Sequence, residues 1–551
     1  IMTSKADVAT WTGGDPQTGL WRESANEWGN LTIMGDAYIS EDATPGNTAT
    51  PSASNFAAME GLTEAFPGDP NVLYGGGNDD DDSGSINYLS LRYGGKVVSL
   101  ANELNGLSLG GLGRGTDIDY VEIMNNVDDG IEIWGGTVNL KHFSIWNVGD
   151  DSFDVDQGWR GKAQFGLIVQ GFSLNASQGS GVGDNCFETD GAEDSDWQPV
   201  TTASIYNATV VGQPIDGDGL TAWRDNARVQ YHNCVFVDGG EKAVRFDDLD
   251  GDGGQGYGHN GTLDWPSTWT TDYTATSLVN PAASPAAMYQ SQVSGKLASI
   301  TDSVFFRNLS SSAYTEANAR GVFDPSNDNV LTPGFDEADS PLRSIVRGAP
   351  VSRGGKQMVQ VLGLDPLPKN AALVSVGAAP ADGFFTPASY RGAFDPNNNW
   401  LCGWTASDAF GFTKVSAAVS VRTDALNVAG SLTTNSSPTL GNSGFGFVVD
   451  NPSAACGVVP GNLALVLATF QGAADITVPN AGCAGGFGKV LINPNIARTF
   501  FVNFTGAPTT VPVPLPAQAA FCGLKFSAQV AFVTNAGGIR LGDAVDAVLG
   551  N

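Results

Sequence analysis

The chain has 551 residues and carries 27 Lys and Arg against 58 Asp and Glu, a formal charge of −31. A pI near 4.2 excludes a nucleic-acid binder, which needs a basic stripe. No apolar run reaches the ~18 residues of a membrane span, and three His (His142, His232, His259) leave His-rich catalysis or a poly-His metal centre without material.

Residues 1–83 contain a Trp-rich start, EWGNLTIMG at 27–35, and a Pro/Ala/Ser/Thr stretch over 43–56. They are read as an N-terminal cap with the first coils. The opening IMTSKADVATWTGG lacks the basic start and apolar centre of a signal peptide. A mature extracellular or cell-surface chain, exported with its signal removed, is the expectation.

Residues 84–310 hold an internal repeat. Short segments begin at Asn105, Asp129, Asp151, Asn185 and Asp218, at offsets of 24, 22, 34 and 33, and Glu241–Asp247 reads as the next copy. Second strands lie between them, over 118–123, 138–145, 165–169, 205–211, 229–237 and 300–306. A period of 22–24 with two or three short strands predicts coils of a parallel β-helix; the leucine-rich LxxLxLxxN frame is missing. The longer offsets are coils with loop insertions, 178–184 and 191–199 among them, which would rim a binding face.

Alternation along each strand assigns faces. Ile131, Phe153, Phe187, Leu220 and Val244 predict one inward column, and Ile133, Val155, Thr189, Ala222 and Phe246 a second. Two outward columns follow, one of Glu132, Asp154, Glu188, Thr221 and Arg245, the other of Trp134, Asp156, Asp190, Trp223 and Asp247.

Residues 311–413, irregular and rich in Pro, Asn and Gly, are read as a C-terminal cap of the β-helix. From 414 to 551 the texture changes to Val, Ala, Thr, Gly and Asn with few charges, which predicts a small antiparallel β-sandwich. The expected fold is therefore all-β: a capped right-handed parallel β-helix followed by a sandwich. Six Cys with no CxxC and no zinc-module spacing fit a secreted protein. Cys402, Cys456, Cys483 and Cys522 are expected to be bridged, with the pairing open.

The acids carry the chemistry. Stacked coils lie about 4.8 Å apart. Like charges at that spacing cost roughly 1 kcal/mol in water and about 3 kcal/mol at an effective dielectric of 20. Calcium would offset this, with six to eight oxygen ligands; so would Arg160, Lys162 or raised pKa values. Asp129 and Asp151, with Asp128 and Asp150, add turn carboxylates. The bland alternative is that these Asp and Asn side chains only cap coil turns. Asp248, Asp250 and Asp252 with Gly253 form D-x-D-x-D-G, the first half of an EF-hand-type calcium loop whose closing Glu is replaced by His259.

Catalysis is the weaker reading. Asp151 and Asp154 sit in a GDD-like turn similar to that of polygalacturonase-type glycosidases, but the companion NTD, GHG and RIK motifs are missing. A lyase would draw on Arg160, Lys162, Arg224 or Arg245 beside a uronate-binding cation. Trp134, Trp159 and Trp223 are candidate sugar platforms or an assembly surface.

Residues 103–165, with EWGNLTIMG (27–35), GDGLTAWRD (217–225) and YRGAFDPNNNWLCGWT (390–405), resemble secreted bacterial right-handed β-helix proteins that are mostly uncharacterised. The resemblance covers about residues 1–413 and implies fold and export without an activity. The tail, with GCAGGFGKVLINP (482–494) and GLKFSAQVAFVTNAGGIRLGDAV (523–545), resembles the C-terminal β-domain of planctomycete secreted proteins.

The favoured expectation is a non-catalytic extracellular structural protein, calcium-stabilised and assembling with copies of itself. The alternative is a lyase or hydrolase acting on an acidic polysaccharide at the face of Glu132, Trp134, Asp154, Asp156, Glu188, Asp190, Trp223 and Arg245.

Overall fold

The computed structural model describes residues 1–41, 52–99, 102–171, 183–192, 197, 199–217, 219–240, 242–246, 265–272, 295–307, 321–331, 337–353, 355–369, 375–396, 398–413, 417–517 and 521–550. The chain divides into two compact units: Ile1–Asp395 with Gly403–Thr413, and Pro396–Cys402 with Lys414–Asn551. Among the described residues no helix is long and apolar enough to cross a membrane.

The first unit is a right-handed parallel β-helix. One wall is a seven-stranded sheet of Leu31–Met34, Leu107–Gly110, Ile131–Trp134, Phe153–Asp156, Phe187–Thr189, Gly219–Trp223 and Lys242–Phe246. Each strand is too short to hold an apolar face alone, so coils must stack to bury one. Stacking puts Leu107, Ile131, Phe153 and Phe187 in one inward row, all fully buried, with Ile133 and Val155 beside them. The first coil strand, Leu31–Met34, pairs in parallel with Leu107–Gly110 across a long intervening segment.

The register corrects the expected columns at one coil. Phe187 pairs with Thr221, not Leu220, and Thr221 pairs with Val244. The one-residue shift turns Thr221 and Trp223 inward and leaves Ala222 beside Arg245 on the outer row. Side chains alternate along a strand, so a slip of one exchanges the faces of every residue in it. Trp223 carries the largest apolar surface in its strand, and burying it favours this register.

The second wall is an eleven-stranded sheet that includes Ser85–Arg92, Asp117–Met124, Asn139–Trp146 and Lys162–Val169. Each of these long strands bends at a left-handed non-Gly residue: Tyr88, Tyr120, His142 and Phe165, with φ of 56°, 55°, 45° and 62°. Such a conformation is costly for bulky residues. Here the rings stack coil on coil, at centroid distances of 4.4, 4.2 and 4.9 Å, which offsets part of the cost. In later coils Asn207, Asn233 and Asp302, types that tolerate this conformation, occupy left-handed positions instead.

A buried carboxylate holds the C-terminal segment of this unit. Glu122 accepts from the backbone N–H groups of Ala406 and Ser407, the first turn of the short helix Ala406–Ala409, and from Ser90 Oγ at 2.7 Å. Among the described residues these two helix N–H groups have no other partner if the carboxylate goes. Glu122→Ala is expected to destabilise the first unit by about 3 kcal/mol, measured by chemical denaturation, whereas Glu122→Gln retains one acceptor and loses less.

The second unit has a five-stranded antiparallel sheet ordered Ala418–Arg422, Ile539–Val548, Lys525–Val533, Leu463–Thr469, Arg498–Asn503, and a three-stranded one of Leu432–Thr434, Gly446–Val449 and Thr509–Pro512. Phe445, Phe447, Val466, Val530 and Phe532 fill its core. One disulfide, Cys456–Cys483, is present among the described residues. Cys402 and Cys522 are buried thiols, so the expectation that all four later cysteines are bridged is corrected.

Candidate functional site

The outer surface of the seven-stranded wall gathers the acids. Glu132 pairs in register with Asp154, and Asp154 with Glu188. Asp156 stands beside Trp134 in the neighbouring row. The coil repeat and the two-residue strand period together leave these residues no other side.

A turn ladder runs along the same edge. Asn105 Oδ1 accepts from Asp129 N at 3.2 Å, and Asp129 Oδ1 from Asp151 N at 2.8 Å. Asp151 Oδ1 accepts from Asn185 N, and Asn185 Oδ1 from Gly219 N at 3.2 Å. Each side chain thus caps the backbone of the next coil, the role the bland alternative assigned to them. Asn does this at both ends of the ladder, so capping by itself requires no charge at Asp129 or Asp151.

Where the ladder is acidic, the carboxylates crowd. Three trios each bring one oxygen per residue within 4.8 Å of one another: Asp128, Asp129 and Asp150; Asp129, Glu132 and Asp154; Asp150, Asp151 and Asp184. Asp128, Asp129, Glu132 and Asp151 are buried. Burial, and after it repulsion among these acids, pushes Asp128, Asp129, Glu132, Asp151, Asp154 and Asp190 well above the usual carboxylate range. The same causes push Asp150 up to about 7.

Compensation from the protein is thin. Asn105 Nδ2 donates to Glu132. Arg224 lies 3.4 Å from both Glu188 and Asp190, and Arg245 lies 3.4 Å from Asp184. Asp154 Oδ1 and Asp190 Oδ1 are buried without a hydrogen-bond partner among the described residues. A polar cavity of about 250 Å³ opens among Asp150, Asp151, Asp184, Glu188, Arg224 and Arg245.

The donor set fits a hard divalent cation. Every candidate ligand is a carboxylate oxygen, three acids come from each of two adjacent coils and Asp184 from the next, and two buried oxygens accept no proton from the described residues. Calcium takes such ligands in flexible number. Asp129 and Asp151 belong to these trios. Asp248, Asp250 and Asp252 lie outside the described residues.

The structure separates the other expected site residues. Trp223 faces the interior and is fully buried, 5.7 Å from the Tyr231 ring and 5.3 Å from that of Trp269, which corrects its place on the ligand face. Trp134 does point outward, but Ile39, Ala57, Met59 and Tyr74 cover it and leave it 7% exposed. Trp159 is fully buried, its Nε1 donating to Val138 O at 3.0 Å. None of the three offers a platform to a sugar or a neighbouring molecule.

Arg160 and Lys162 are committed elsewhere. Arg160 makes a two-pronged pair with Asp79, at 2.5 and 2.9 Å, and bonds Tyr38 O. Lys162 pairs with Asp382 at 2.6 Å. Neither is paired with Asp151 or Asp154, so the catalytic set of Asp151, Asp154, Arg160 and Lys162 does not assemble.

Sequence reasoning missed Glu60, Glu103 and Asp184. Glu60 is pushed up to about 7, by burial first and then by Glu103, and it adds repulsion at Asp128 and Glu132. It belongs to the segment that folds between the first and second coil strands, so no repeat spacing points to it.

A family model described as a pectate-lyase like beta helix domain matches residues 18–295, just over half of the chain. No curated protein and no solved structure gives a significant match. The matched span contains every carboxylate of the acidic flank, and the observed coils are those of such a domain. The chain belongs to the pectate-lyase-like beta-helix family.

Proposed function

We propose that the acidic flank binds divalent cations, calcium foremost, and through them an acidic polysaccharide outside the cell. The observation that carries this reading is the pair of acidic rungs, Asp129 and Asp151, in a ladder where Asn performs the same backbone capping. Their charge is costly in a buried setting, and a bound cation supplies the return.

A bound cation would contribute positive charge with coordination positions open to a uronate carboxylate. Arg224 and Arg245, each 39% exposed in the side chain, stand at the cavity to meet a second anionic group. Asp190 first, against the burial that opposes it, raises Arg224 above its ordinary value. A guanidinium held so firmly as a cation suits recognition of a carboxylate and is a poor base for proton abstraction. Binding, rather than elimination, is the reading this geometry favours.

The test is titration of calcium into the chelator-stripped full chain by calorimetry, followed by binding of polygalacturonate with and without calcium. Saturable calcium uptake and calcium-dependent polymer binding are expected, and Arg224→Ala should weaken polymer binding at least tenfold while calcium uptake is retained. No uptake at millimolar calcium overturns the cation site. Polymer binding that ignores chelator overturns the bridging role. Release of unsaturated uronides would replace binding by lyase chemistry.

A further inference from the structure

The second unit holds a cavity of about 560 Å³, within the size range of small-molecule sites. Phe447, Phe500, Leu524 and Phe526 wall it with apolar surface. One edge is the run Pro512–Pro516, in which Pro512, Pro514 and Pro516 have fixed φ and no N–H. That edge is stiff, and it offers few donors to a polar guest. Phe470 and Phe521 stand at the cavity 56% and 38% exposed, a large apolar area left facing water.

One charged side chain lines this space, Arg498, exposed and with no ion pair among the described residues. The surrounding sequence does not oppose an anion. Residues 414–551 contain 6 Lys and Arg against 5 Asp and no Glu, a formal charge of +1 in a chain whose total is −31. Nearly all the acidity lies outside this unit.

We propose that this cavity binds a free fatty carboxylate, the alkyl chain among the phenylalanines and the carboxylate on Arg498. Apolar walls remove chain carbons from water, at about 25 cal/mol per Å² of surface covered. A single guanidinium at the rim pairs with a carboxylate in its planar fork, which a neutral head cannot match. The charge complementarity selects an anionic amphiphile over an apolar ligand of the same length. The site involves neither the acidic flank nor a metal ion, so it stands apart from the polysaccharide reading.

The experiment titrates the full chain with dodecanoate and, separately, with dodecan-1-ol, below their micelle-forming or solubility limits, by calorimetry in chelator. One-to-one binding of dodecanoate is expected, at least tenfold tighter than that of the alcohol. Arg498→Ala should erase that difference by weakening dodecanoate alone. Ala497→Trp, a change at an exposed lining position, should block both ligands while the melting temperature holds. Absence of dodecanoate binding, equal affinity for acid and alcohol, or an Arg498→Ala variant that still prefers the acid would each overturn the proposal.

Discussion

Replacing Asp129 and Asp151 together by Asn is expected to abolish high-affinity calcium binding and, at the same time, to raise the melting temperature of the chelated protein at pH 8. The two effects have opposite signs because the two side chains have two jobs. Each Oδ1 accepts the backbone N–H of the next coil, and Asn retains that bond, as Asn105 and Asn185 already do. The negative charge is costly without a cation, since the carboxylates of Asp128, Glu132, Asp150 and Asp154 crowd around it. A loss of capping alone would lower stability under all conditions.

The pH dependence follows from the same acids. Their folded-state values are raised above the ~4 of an unfolded carboxylate, with Asp150 and Glu60 at about 7. The folded chain therefore holds more protons than the unfolded chain between pH 4 and about 7. Stability from this cluster is fully present below the unfolded value and is lost as pH rises through the folded one. Glu27 behaves in the opposite way. Burial would raise it, but hydrogen bonds from Arg22, Ser4 and Ser24 hold it at about 2, so its contribution fades only in acid. Between pH 5 and 8 the buried cluster dominates.

In chelator the melting temperature should accordingly fall from pH 5 to pH 8. Calcium at a hundred times its dissociation constant should return about 2.7 kcal/mol per site at pH 8, with little effect at pH 5, where protons compete. Equal melting at the two pH values in chelator, or calcium binding by the double Asn variant as tight as by the parent, would refute this account.

Trp223→Ala is expected to destabilise the first unit by about 3–5 kcal/mol, the cost of emptying a large aromatic site. Its ring is fully buried against Tyr231 and Trp269, and its Nε1 donates to Thr221 Oγ1 at 3.0 Å. Coils of a solenoid support mainly their neighbours. Amide exchange should therefore accelerate first in Gln230–His232 and Phe187–Thr189, the strands nearest the void, while residues of the second unit keep their protection. An outward Trp223 would give the reverse: unchanged melting and weaker polymer binding. That outcome would restore the other register.

Much of this molecule was written along one dimension. A strand period of two and a coil repeat near two dozen residues are properties of consecutive sequence, and they suffice to place Glu132, Asp154 and Glu188 side by side. The change of composition near residue 414 is likewise a property of consecutive sequence and falls where the longer stretch of the second unit, Lys414–Asn551, begins. Nothing in it shows that Pro396–Cys402 joins that unit instead of the β-helix cap expected over 311–413. The resemblance of residues 103–165 pointed to the same β-helix.

What sequence did not disclose depends on meetings between distant segments. Loop insertions blur the coil length between Phe187 and Thr221, and only the packing of Trp223 against Tyr231 and Trp269 decides which of two adjacent residues enters the wall. The segment between the first two coil strands folds back to cover Trp134 and to bring Glu60 to the acids, at sequence distances no repeat encodes. Arg160 is drawn to Asp79 for the same reason. Periodicity fixes which residues share a face, because backbone geometry repeats; it cannot say what later lies over that face, because burial is a property of the assembled chain.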